Sequence, residues 1–133
     1  MFLGMDVGTG GTRAVLVDEQ GRVVTSASSE HAPFRVDHPG WAEQDPEDWW
    51  RAAQEAIRAV LADLAQSHPA KRVDALGLTG QMHGAVMLDA DGQVLRPSLI
   101  WCDTRTQPQC DWLHAQFGPG EEGRRKLIEL TAN

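Results

Sequence analysis

Cysteine is scarce in this sequence: Cys102 and Cys110 are the two that occur in 133 residues. Two cysteines make no disulfide framework, so the small stapled domains of oxidising compartments are set aside and reduced thiols in a cytoplasmic protein are expected. Basic charge is also short, with 12 Lys and Arg against 19 Asp and Glu and a formal charge of −7. That balance gives no electrostatic reason to bind nucleic acid or an anionic membrane. No apolar stretch approaches the roughly 18 residues that a bilayer span requires. The opening MFLGMDVGTG has neither a basic region nor a long apolar run, so it does not read as a secretory signal. Internal repeats and low-complexity segments are missing as well. What is present is an ordinary globular balance, 41% apolar and 23% charged. A chain of this length can bury roughly two thirds of the surface it exposes when unfolded.

The pattern along the chain predicts alternating elements. Phe2 to Asp6 is a short apolar run that reads as a buried strand, ending in the turn Gly8-Thr9-Gly10-Gly11. Thr12 to Asp18, nearly all apolar from Ala14 to Val17, reads as a strand covered on both faces. After the tight connection Glu19-Gln20-Gly21, Arg22 to Ala27 returns as a third strand, giving an antiparallel meander. Residues 31–45 read as an extended loop, with His31 and His38 solvated, as is His68 further on. Asp45-Pro46-Glu47-Asp48 is a helix start: a capping Asp, a Pro suited to the first position, and acids that complement the dipole. Trp49, Ala53, Ala56, Ile57, Val60, Leu61 and Leu64 recur at helical spacing up to Ser67, before Pro69. Val73 to Thr79 predicts a buried strand, parallel to a neighbour because a helix precedes it. Ala85 to Leu88 and Gln93 to Leu95 flank the hairpin signal Asp89-Ala90-Asp91-Gly92, and Leu99-Ile100-Trp101 is a further apolar run. A helix over Thr104 to Phe117, with Trp112 on its packed side, is broken by Gly118-Pro119-Gly120, and a last helix covers Glu122 to Leu130. This order predicts an α/β fold of the ribonuclease-H-like, actin-type ATPase class: a mixed sheet flanked by helices.

Four stretches carry chemistry. Asp6 stands beside Gly8-Thr9-Gly10-Gly11-Thr12-Arg13, where glycines let backbone N–H groups converge on phosphate oxygens and a carboxylate can hold hydrated Mg²⁺. A plain hairpin turn with a surface Asp explains the same residues. It is not a P-loop, since no Gly-Lys-Ser/Thr follows. Trp41, Trp49 and Trp50 could stack a sugar or a base, but Trp49 lies on the packed stripe of a helix, which favours packing. Gln81 and His83, between Gly80 and Gly84 and just past a strand, could reach a ligand, with Met82 against an apolar sugar face. A core histidine bonded to a carbonyl fits His83 equally. Trp101 beside Asp103 suits a polyol, through stacking and hydroxyl bonds, while Asp103 also suits the cap of the next helix. Cys102, Cys110 and His114 match no zinc module in spacing. Arg124-Arg125-Lys126 after Glu121-Glu122 reads as a solvated helix face.

Taken together, Gly4-x-Asp6-x-Gly8-Thr9 with Arg13, the stretch Trp41 to Trp50 containing Glu43-Gln44-Asp45-Pro46, Gly80-Gln81-Met82-His83-Gly84, and Trp101-x-Asp103-x-Arg105 resemble the N-terminal part of the FGGY family of carbohydrate kinases. The middle loop resembles the form found in members that act on xylulose. The resemblance implies ATP-dependent phosphorylation of D-xylulose to D-xylulose 5-phosphate with Mg²⁺. The alternatives are gluconate or another ketose as substrate, or a non-catalytic actin-like nucleotide-binding module. It implies Asp6 as the catalytic, metal-associated aspartate, and Gly8, Thr9, Gly10, Gly11, Thr12 and Arg13 around the nucleotide phosphates. Gln81, Met82, His83, Trp101 and Asp103 would meet the sugar. The resemblance implies two actin-like domains around a cleft, and a homodimer is the expectation for the parent enzyme. Their catalytic base, an aspartate in a later glycine-rich segment, has no match here, nor do the adenine pocket and second domain. Residues 1–133 are thus expected to form the N-terminal part of an incomplete first domain, inactive alone and prone to self-association through an exposed apolar face.

Overall fold

The computed structural model describes residues 1–132. Its centre is a four-stranded mixed sheet. β1 (Phe2–Val7) pairs antiparallel with β2 (Gly11–Val17), and β2 pairs antiparallel with β3 (Val23–Glu30). β5 (Ala75–Gly80) joins the other edge, parallel to β1, giving the order β3-β2-β1-β5. The predicted meander and parallel fourth strand are therefore present, with β3 extended to Glu30 beyond its expected end at Ala27.

Alternation sets the two faces of the sheet. Thr12, Ala14 and Leu16 point to one face and are almost completely buried, whereas Arg13 faces solvent and Val15 and Val17 are half-buried. β2 is thus covered on one face, not on both as its apolar run predicted. The cover is α1 (Pro46–Ser67). Asp45 caps it, its Oδ1 accepting from the Glu47 N–H at 3.0 Å, and Pro46 takes the first position. Ala52, Ala53 and Ala56 are buried, and small side chains let the helix approach the sheet closely. Val60 and Leu64 complete the stripe, and Ala56, Val60 and Leu64 form one core with Met1, Leu3, Ala14 and Leu16. Burying a side chain of this size contributes roughly 1.5–3 kcal/mol.

Because α1 packs on β2 and β3 and barely reaches β1, β5 is left without cover. All of its residues are exposed, Leu76 at 51% and Leu78 at 67%. This corrects the expectation of a buried fourth strand: the apolar run is real, but no described element lies over it.

The 31–45 segment is more than a loop. It holds β4 (Glu43–Gln44), which pairs antiparallel with β6 (Ser98–Leu99) in a second, two-stranded sheet. The Asp89–Gly92 turn forms as expected, with Asp89 N–H bonded to Gln93 O at 3.0 Å and Gly92 at φ +78°, but its flanks share one isolated bridge, Leu88 to Val94, and no ladder. α2 (Gln107–Phe117) starts three residues later than predicted, and Trp112 is 62% exposed, not packed. α3 (Gly120–Thr131) follows and packs against α2. Among the described residues, no helix is long and apolar enough to cross a membrane.

Candidate functional site

The β1–β2 connection carries the first half of the site. Asp6 sits near the carboxyl end of β1, exposed, and no hydrogen bond or ion pair among the described residues engages its carboxylate. Its cross-strand neighbour Arg13 is turned to β3, where Nε donates to Ser28 Oγ at 3.3 Å. The turn is closed by Gly8 N–H to Gly11 O at 3.0 Å and tied to β3 by His31 N–H to Gly10 O at 3.1 Å. The N–H groups of Thr9 and Gly10 meet no acceptor among the described residues. A Cβ on Gly11 would lie 2.7 Å from Ser29 O, so the turn can approach β3 this closely because that residue is glycine, whereas a Cβ on Gly10 would meet open space. A free carboxylate near the end of a strand that leads into a turn with two free amides suits a phosphate carrying a largely hydrated Mg²⁺. No group of three His, Cys, Asp or Glu among the described residues could hold a metal by itself. Asp6 would take an outer place on the ion, and the Thr9 and Gly10 amides would face the phosphate.

Thr12 departs from its expected role. It is 1% exposed beneath the sheet, with Oγ1 hydrogen-bonded to His31 Nε2 at 2.9 Å. Its hydroxyl is therefore engaged inside the fold and is not offered to a phosphate. The same bond corrects the reading of His31 as solvated. The imidazole is 8% exposed, and its Nδ1 is buried with no partner among the described residues.

A chain of hydrogen bonds links this turn to three other predicted stretches. Trp101 Nε1 donates to Thr9 Oγ1 at 2.9 Å, and Thr9 Oγ1 donates to Gln81 Oε1 at 3.2 Å. Gln81 Nε2 donates to Gln44 Oε1 at 3.0 Å, which also accepts from Trp49 Nε1 at 3.1 Å. Gln44 Nε2 donates to Thr9 O at 2.7 Å, and Gln81 N–H donates to Val7 O at 2.9 Å. Gln44 was not a sequence candidate. Its signal was a glutamine just before a helix cap, flanked by donor-only indoles.

Beyond Gln81 lies an open groove of about 420 Å³, lined by His83, Met87, Arg96, Trp101 and Asp103 among others. His83 adopts φ +58°, an uncommon conformation for a residue with a Cβ, of the kind found where a side chain is aimed at a ligand. Met82 is 64% exposed and does not line the groove. Asp103 lies at its wall, but its carboxylate is engaged. Oδ2 accepts from Ala42 N–H and from Arg105 Nη2, both at 2.7 Å, and Oδ1 accepts from Arg105 N–H at 2.9 Å. Burial alone would push this carboxyl up, but the Arg105 guanidinium and the two amides outweigh it and hold it below the usual carboxylate range. Asp103 does not cap α2, whose N-cap is Thr106. Arg105 also donates to Glu43 Oε1 at 2.8 Å and stacks 3.8 Å above the Trp41 ring. Arg96 pairs with the same Glu43 oxygen. Trp41 and Trp49 thus serve packing and anchoring, while Trp50 is exposed. Cys102 is half-buried and Cys110 exposed, both as free thiols.

Known proteins are similar to this chain in sequence and in fold. The sequence pattern of the FGGY family of carbohydrate kinases, N-terminal domain, matches residues 1–128. The xylulose kinase of Escherichia coli (strain K12) is 45% identical over 116 residues, which are 87% of this chain and 23% of that protein. The chain therefore spans about a quarter of the length of such curated relatives. The crystal structure of a xyloylose kinase from Brucella ovis superposes with a TM-score of 0.78 at 43% identity, covering 86% of this chain and 23% of that one. A gluconate kinase from Lactobacillus acidophilus superposes with a TM-score of 0.75 at 32% identity, covering 86% and 22%. These neighbours have the actin-like ATPase fold that the element order predicted. With one match running from β1 into α3 and both halves of the site inside it, this chain belongs to the FGGY family of carbohydrate kinases.

Proposed function

We propose that the protein carrying this chain transfers the γ-phosphoryl group of ATP to a hydroxyl of D-xylulose, giving D-xylulose 5-phosphate and ADP, in the cytoplasm. The observation that carries this reading is the unpaired Asp6 carboxylate near the end of the strand that leads into a turn with free Thr9 and Gly10 amides, a turn one hydrogen bond from the loop that leads into the His83–Trp101 groove. The relatives named xylulose kinase support the choice of sugar.

Phosphoryl transfer needs positioning and charge neutralisation more than covalent help. The Thr9 and Gly10 N–H groups would meet phosphate oxygens, and Arg13 would add a cation at the same edge. Mg²⁺, when bound, offsets the charge of the phosphates, and Asp6 would hold its water shell in place. On the sugar side the Trp101 ring offers a stacking face, His83 a donor or acceptor, and Gln81 fixes the loop between them, with Met82 beside it. Asp103 shapes the wall through Arg105 and does not present a free oxygen. No acid among the described residues is placed to take the hydroxyl proton, so these residues alone are expected to show no turnover.

The test is a coupled ADP-release assay on the full-length gene product with D-xylulose, D-gluconate and other ketoses. A preference for D-xylulose supports the reading, and Asp6→Ala should reduce the rate at least a hundredfold, about 2.7 kcal/mol of transition-state stabilisation. A near-normal rate in that variant removes the metal role. Preference for D-gluconate would favour the second reading, in which the Arg96 guanidinium lining the groove would face the acid.

A further inference from the structure

We infer that Gln44 is a positioning residue that locks the phosphate turn to the sugar loop, an inference that rests on the kinase reading above. Gln44 touches neither proposed substrate position. It is 4% exposed, at the point where β4 ends and the cap of α1 begins.

The hydrogen-bond directions around it are fixed by chemistry. An indole N–H can only donate, so the Gln44 atom facing Trp49 Nε1 must be its oxygen. The amide nitrogen then faces the Thr9 carbonyl, which can only accept. The Gln81 atom facing Gln44 Oε1 must be nitrogen, so Gln81 presents its oxygen to the Thr9 hydroxyl. That hydroxyl donates, and its lone pair receives the Trp101 indole N–H. One donor-only group at each end thus orients every bond between them, and no rotated amide satisfies the set.

The consequence is a closed ring of contacts from the turn to the groove. Gln44 holds Thr9 by its backbone carbonyl, and Gln81 holds Thr9 by its hydroxyl. Gln81 is in turn held by Gln44 and by Val7 O. The turn bearing the free amides of Thr9 and Gly10 and the loop bearing His83 are therefore held together by the β1–β5 pairing, by the direct Thr9–Gln81 bond and by the buried Gln44 amide, which bonds to both. Group transfer is sensitive to such placement, since a shift of about 1 Å costs up to about a hundredfold. The relay consists of neutral groups alone, so it has no pH dependence of its own.

Two variants of the full-length protein test this, Gln44→Leu and Gln44→Glu. The first removes all three bonds. It should raise amide hydrogen exchange in both 8–11 and 81–84, and lower kcat about tenfold to a hundredfold with KM values moving less than about threefold. The second keeps an acceptor for Trp49 and Gln81 but turns an anion toward the Thr9 carbonyl. Protonated, it regains an O–H donor there. Burial against a carbonyl raises its pKa, so both exchange and kcat should return toward wild type as pH falls from about 8 to about 5.5, relative to wild type at each pH. Faster exchange in one segment alone, or a Gln44→Glu defect equal at both pH values, overturns the inference. If the wild type phosphorylates no sugar, the reaction reading falls, and the exchange arm still decides whether Gln44 holds the two loops.

Discussion

Replacing Asp103 by Asn tests whether this acid is a sugar ligand or a clamp. Its side chain is 2% exposed, and its two oxygens receive the Ala42 amide, the Arg105 amide and the Arg105 guanidinium. Asparagine puts an NH₂ where one oxygen stood. Turned either way, it faces donors with a donor. At least two bonds to the charged carboxylate are lost, each worth about 1.5 kcal/mol, so Asp103→Asn should destabilise the fold by about 3 kcal/mol at pH 7. That is a large share of the roughly 5–15 kcal/mol of a domain. The pH dependence follows from the depressed carboxyl. A group held below its unfolded pKa stabilises above the unfolded value of about 3.9, and the contribution is lost as pH falls through the lower folded value. Urea unfolding followed by circular dichroism should therefore show a full gap between wild type and variant at pH 7 and a narrowing gap well below pH 4. A variant within about 0.5 kcal/mol of wild type, or a gap unchanged on acidification, would refute the clamp.

Two further outcomes are expected. Thr12→Val removes the one hydrogen bond that the buried His31 ring makes among the described residues and should cost about 1–3 kcal/mol, whereas Thr12→Ser, which keeps the hydroxyl, should cost less; chemical denaturation separates them. The uncovered Leu76 and Leu78 should drive the 133-residue chain to self-associate, and sedimentation velocity on a Leu76→Lys, Leu78→Lys double variant should show a shift toward monomer with little change in melting temperature.

The sheet and α1 were legible because their signals are local. The glycine turn, the short apolar runs and Asp45-Pro46 each act within a few residues of themselves. What stayed hidden depends on distant partners. His31 is buried because the β2–β3 register sets Gly11 opposite Glu30 and so brings the next residue against Thr12. β4 and β6 are two residues each and exist through pairing across more than fifty positions. The exposure of β5 reflects where α1 crosses the sheet, which no periodicity encodes. Within the candidate site, Asp6 and the glycines stand out as candidates by residue type. Gln44 could not, since its role follows from which indoles surround it.

The spacing of these contacts also orders the assembly of the fold. Three residues join β1 to β2, so the end of the site proposed for the nucleotide closes by a hairpin, a microsecond event in isolated chains. The groove depends on the Ala42–Asp103 bond, 61 residues apart, and on Trp101 reaching Thr9 across 92. Such long loops close late and slowly. During synthesis the β1–β2 turn would thus take shape while the residues that complete the groove are still unmade.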